Sequence, residues 1–206
     1  EEAEETMRTA WEKRLRKEVN EIIAVLTERS KTVQKIGLDD IDKHDWDWLA
    51  KYGDDVIEEL MTVFEIEAVT VAPELNTQQV QRLAGNYARL GARNILDIDG
   101  KNALTKVSRD RVRELTAQAI TQGDSLGTLS RQLRADFQFS PSKADMIART
   151  ETATALGQAG RDTATTSGKD QKRWITQGDD VVDINGVGPC VDNESVGWIG
   201  ILETFP

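Results

Sequence analysis

Arg149, Thr150 and Glu151 form the triplet of this chain most able to do chemistry. They interrupt a run of small side chains, Ala144 to Ala164, that otherwise offers little that is reactive. On a helix, Ala144, Ala148, Thr152, Ala155 and Ala159 share one strip, and Ala153, Gly157, Gly160 and Ala164 share another. Side-chain size sets the distance between packed helices, so such strips predict close approach. Asp145 stands four residues before Arg149, a favourable helical pair. Glu151 borders the small strip, so tight packing desolvates it. A desolvated carboxylate needs a cation or several donors. The expected role is structural: Arg149 and Glu151 tie their helix to its neighbours through buried hydrogen bonds. The alternative is a toxin-like or processing enzyme working through Arg149 and Glu151. That chemistry needs a second acid or a nucleophile, and the sequence carries no G-x-S-x-G, no H-E-x-x-H and no P-loop. No enzymatic activity is expected.

The remaining candidates are weaker. His44 is the only histidine and stands among Asp40, Asp42, Asp45 and Asp47. That spacing lacks the glycine and the terminal glutamate of a calcium loop, so solvated helix capping is the expected reading. Cys190 is the only cysteine, which excludes an internal disulfide and fits a reducing compartment. Taken alone, it reads as a small buried side chain. Arg109 and Arg113 lie four apart on one helix face and are the candidate phosphate contacts. Residues 101–149 hold nine Lys/Arg against five Asp/Glu, a net +4, whereas residues 1–66 hold ten against eighteen, a net −8. The net charge of −10 argues against a non-specific polyanion binder, so DNA contact is expected to be weak or absent.

These residues must be held by helices. Residues 1–36 read as one long helix, with Trp11, Leu15, Val19, Ile22, Ile23 and Leu26 in a single stripe. A helix with one stripe pairs with another helix or projects toward a partner. Asp45 or Asp47 is expected to cap a short helix over Trp46, Trp48 and Leu49, and Asp54 a second one. Pro73 and the Asn76-Thr77 cap mark a break. Val80, Leu83, Ala84, Tyr87 and Leu90 form the next stripe. After a connector with Gly100 at a turn, Ser108 is expected to cap a helix carrying Val112, Leu115, Ala119 and Ile120, ended by Gly123. Asp124 then caps one carrying Leu126, Leu129, Leu133 and Phe137, and Ser140-Pro141 opens the small-residue helix. Beyond Gly168, β-branched runs between turns predict short strands or extended loops, anchored by Trp174 and Trp198. The fold class is mainly α: a helical bundle with a long N-terminal amphipathic helix and a small C-terminal extended or β lobe. The expected divisions are a partner-binding helical region at 1–75, a helical core at 76–168 and the lobe at 169–206. No run of 18 apolar residues predicts a membrane span, and the opening EEAEETMRTA is not a signal peptide. That opening also lacks an initiator Met, which suggests a segment of a longer product or one trimmed by processing.

The order of these pieces resembles the phage minor head protein family, the Mu F-like head morphogenesis group. The pieces are a helix ending at Gly123, a second ending near Phe137, the IARTE run Ile147 to Glu151, Trp174, and the pair Gly178-Asp179. Cys190, Asn193, Gly197 and Ile199 continue the pattern. The likeness covers about residues 80–206. It implies a virion component inside the head at the portal vertex, assembled in the host cytoplasm. It also implies involvement in head assembly and in genome packaging or ejection, with the portal protein and other head proteins as partners. Fusion to a portal is known in such families, and self-association through the first helix is a further expectation. Family members often carry a Cys-x-x-Cys and a later His-Pro-x-Cys-Arg-Cys, spacings suited to structural zinc. Here Val187 stands three before Cys190. The expectation is therefore no cofactor, with zinc at Cys190 only if further ligands lie beyond Pro206.

Overall fold

The computed structural model describes residues 2–32, 37–100, 103–173, 198–200 and 203. Helix α1 spans Glu2–Thr32, α2 Trp48–Val71, α3 Thr77–Leu96, α4 Leu104–Gln122, α5 Leu126–Ala135 and α6 Pro141–Thr166. Short 3-10 helices occupy Leu38–Lys43 and Phe137–Phe139. Strands β1 (Gln171–Arg173) and β2 (Trp198–Gly200) pair antiparallel, with Lys172 opposite Ile199. The mainly helical class and the long first helix stand as the sequence predicts.

The ends of the helices are written locally. Glu2, Glu4 and Glu5 fill the first turn of α1 while Arg29 and Lys31 fill its last, which matches the helix dipole at both ends. Asp47 caps α2 by accepting from the Ala50 amide. Asn76 and Gln79 form a reciprocal capping box at α3. Gly123, at φ 71°, takes the left-handed conformation that ends α4. Ser140 caps α6 ahead of Pro141.

All six residues of the α1 stripe are buried. The stripe is covered by the chain itself, chiefly by α6 and α5, so it does not project toward a partner. Met7, Trp11 and Leu15 of α1 share one apolar cluster with Trp48 and Val56 of α2, Ala88 and Ala92 of α3, and Ala144 and Ala148 of α6. Residues on both sides of position 75 therefore contribute to a common core. Farther along α1, Val19, Ile22 and Leu26 meet Val112, Leu115, Leu129 and Leu133 in a second cluster.

Several local expectations are corrected. Asp54 does not cap a second helix: α2 runs through it without a break, because Gly53 is buried against Leu49 and the residues around it keep helical spacing. Ser108 is not a cap either. Helix α4 begins four residues earlier, after Ala103 at φ 34°, and Ser108 lies fully buried inside it. Ser125, not Asp124, caps α5. Phe137 is half exposed, and Phe139 takes the core position through the 3-10 turn. Leu90, expected in the α3 stripe, is 61% exposed, and Trp198, expected as a packing anchor, is 64% exposed rather than buried. Trp174 lies outside the described residues.

Candidate functional site

Helical period decides where Glu151 goes. It is three residues after Ala148 and four before Ala155, both fully buried, so it joins the face that meets the other helices. Ala144, Ala148, Ala155 and Ala159 let α1 and α2 approach α6 closely. Glu151 is placed at the margin of this contact, where α3 crosses. Only 9% of it is exposed.

The environment of Glu151 is unlike the one the sequence suggests. Among the described residues, no hydrogen bond or ion pair reaches its carboxylate. Burial pushes its pKa up to about 7, with no neighbouring cation to oppose the shift. The phenol of Tyr87 is raised to about 12, by its own burial first and by the Glu151 charge second. The expected role for Glu151, a tie to neighbouring segments by buried hydrogen bonds, is corrected accordingly. Arg149, two residues away, points elsewhere. It is largely exposed and pairs with Asp145 at 3.2 Å and Glu4 at 3.6 Å, which joins α6 to the start of α1. Arg149 and Glu151 thus lie on different faces and share no site. Thr150, between them, is exposed.

Glu151 opens into a groove of about 510 Å³ between α3 and α6. Asn86, Tyr87, Leu90 and Asn94 line it from α3, and Gln158 and Asp162 from α6. Gln158 donates to Asp162 at 2.7 Å, so that carboxylate already holds a partner.

A second polar centre was missed by sequence reasoning. Glu18 of α1 is fully buried, yet it accepts four hydrogen bonds: from His44 Nε2 at 2.8 Å, Trp48 Nε1 at 2.9 Å, Lys51 Nζ at 3.2 Å and the Tyr52 hydroxyl at 2.6 Å. Burial raises its pKa, but the bonds from His44 and Tyr52 and the Lys51 charge outweigh that and hold it below the usual carboxylate range. His44 is itself buried at 6% exposure, so solvated capping is corrected for this residue. Glu18, Glu21 and His44 stand close enough to be metal ligands. The donor set does not fit an ion, because the Lys51 ammonium already sits between Glu18 and Glu21, 3.0 Å from the latter. The one clue in the sequence was Glu18 beside Val19 on the buried side of an amphipathic helix.

Of the two candidate phosphate contacts, Arg113 is engaged within the chain, whereas the Nε of Arg109 has no hydrogen-bond partner among the described residues. Arg113 donates to both Asp42 oxygens at 2.6 Å, and each group's pKa shifts to favour the charged form. Arg109 Nε is buried, 4.0 Å from Asp110. Gly178, Asp179, Cys190, Asn193 and Gly197 lie outside the described residues.

The groove and the Glu18 network hold no nucleophile paired with a base. Residues 110–182 match the family model described as Phage Mu protein F like protein, which supports a phage head morphogenesis family. The match begins within α4 and takes in α5, α6 and the Arg149 to Glu151 triplet. This is a family of structural head proteins and not of enzymes. No curated protein and no solved structure matches the chain. No described helix is long and apolar enough to cross a membrane.

Proposed function

We propose that this chain is a minor head protein at the portal vertex of a tailed phage, inside the head. There it supports head assembly and genome packaging or ejection, with the portal protein and other head proteins as partners. The family match over residues 110–182 carries this reading. The acidic balance of the chain supports it, since a net charge of −10 limits adhesion to enclosed DNA. Self-association through α1 would have to use its charged faces, because its apolar stripe is covered within the chain.

The test is quantitative mass spectrometry of purified particles, with and without packaged DNA, counting this chain against portal and major capsid subunits. A low, fixed ratio to portal is the expected result. Absence from particles would overturn the proposal.

A further inference from the structure

The α3–α6 groove presents an unusual chemical condition. Glu151, a residue only 9% exposed, lines an open cleft, and no hydrogen bond or ion pair reaches its carboxylate among the described residues. Desolvating such a group without compensation is unfavourable, and natural interiors seldom leave one so. The residues around it complement a cation. Asn86 and Asn94 line the cleft with side-chain amides. Gln158 and Asp162, also in the lining, are already engaged, Gln158 accepting from Arg161 and donating to Asp162, so Glu151 is the carboxylate left for a cation. Exposed Leu90 and buried Ile95 supply an apolar wall beside them. A guanidinium on an aliphatic stem matches this layout. Its five N–H donors need several acceptors in a plane, and its methylenes lie against apolar surface. Residues 174–206 are not the source, because they contain no Lys or Arg.

We infer that the groove is a docking site for an arginine side chain of a partner protein, received by the Glu151 carboxylate with its stem along Leu90. The cleft is open to solvent and, at about 510 Å³, has the size of a ligand site, so a side chain projecting from another surface can enter it. Arginine anchors of this kind are common at the centres of protein interfaces. The chemistry of the groove is independent of the virion assignment, and its test does not involve particles.

The experiment titrates the isotope-labelled full chain with N-acetylarginine amide and follows backbone amide shifts by NMR. The neutral isostere N-acetylcitrulline amide and butylamine serve as comparison probes. Saturable shifts confined to the groove, at Asn86, Gly91, Thr154 and Gln158, are expected for the arginine derivative. They should be weaker by roughly tenfold for citrulline, which lacks the charge. Glu151→Gln should remove the binding while circular dichroism and thermal unfolding show an intact fold. Thr154→Lys provides a second variant at an exposed position, placing an ammonium three residues from Glu151 on the same helix. It should also abolish binding, and it decides the matter if Glu151→Gln does not fold. Absence of saturation, equal binding of citrulline, tighter binding of butylamine, or retained binding in the folded variants would overturn the assignment.

Discussion

The His44 imidazole and the Glu18 carboxylate, 26 residues apart in sequence, meet at 2.8 Å in the interior. This contact ties the loop before α2 to the middle of α1. Trp48, Lys51 and Tyr52 from the first turns of α2 close on the same carboxylate. A buried charge with four donors is tolerated only while the donors stay in place. Glu18→Ala leaves those donors unsatisfied and opens a cavity, so it should destabilise the chain by about 3–5 kcal/mol. Urea unfolding followed by tryptophan fluorescence measures this directly. The pH dependence has a definite sign. The folded pKa of Glu18 is lowered, so its stabilisation is present above the ordinary carboxylate pKa and is lost as pH falls through the folded value. Glu18→Gln should flatten the acid limb of the stability profile.

Glu151 behaves in the opposite way. Its pKa rises from 4.5 to about 7 on folding, so the folded chain holds its proton more tightly than the unfolded one. Stability is highest below the unfolded value, declines as pH rises toward 7 and is flat beyond. Glu151→Gln mimics the protonated form. It should stabilise the free chain at pH 8 by up to about 3 kcal/mol and leave it nearly unchanged at pH 4. Thermal melts at the two pH values check this, and loss of stability at pH 8 would contradict the described environment.

These two carboxylates also show how far the sequence could be read. The stripe from Trp11 to Leu26 was legible because apolar period alone fixes a buried face. The caps at Asp47, Asn76 and Ser140 were legible because their chemistry is local. The partners of Glu18 were not, since they depend on which turn of α2 reaches α1. Glu151 was correctly expected to be desolvated, but whether donors would reach it depended on α3, which brings Tyr87 and Leu90 there and no cation. Leu90 shows the same limit: it keeps the spacing of Val80 and Ala84, yet lies beyond the reach of the core.

The small strip of α6 makes a packing prediction. Ala148 is fully buried where α1 and α6 approach, whereas Ala153 is exposed on the same helix. Leucine differs little from alanine in helix propensity, so any difference between the two sites reports packing. Ala148→Leu forces extra methylenes into a filled contact and should cost about 1–3 kcal/mol. Ala153→Leu should change stability by less than about 0.5 kcal/mol. Denaturant midpoints of the two variants decide this, and equal values would mean that α1 does not pack on α6 as described.

Two serines give the complementary test of local chemistry. Ser140 accepts from the Lys143 amide and satisfies an orphan donor at the start of α6, so Ser140→Ala should cost about 1 kcal/mol. Ser108 has the same side chain but a different position. It is fully buried inside α4, and its hydroxyl has no partner among the described residues. Removing an unsatisfied buried hydroxyl eliminates its desolvation cost, and alanine is the better helix former. Ser108→Ala should therefore stabilise the chain by about 1 kcal/mol, read as a higher unfolding midpoint with an unchanged denaturant slope. Opposite signs at the two serines would show that the helix starts at Leu104 and at Pro141. A loss at both would return Ser108 to the capping role that its sequence context suggests.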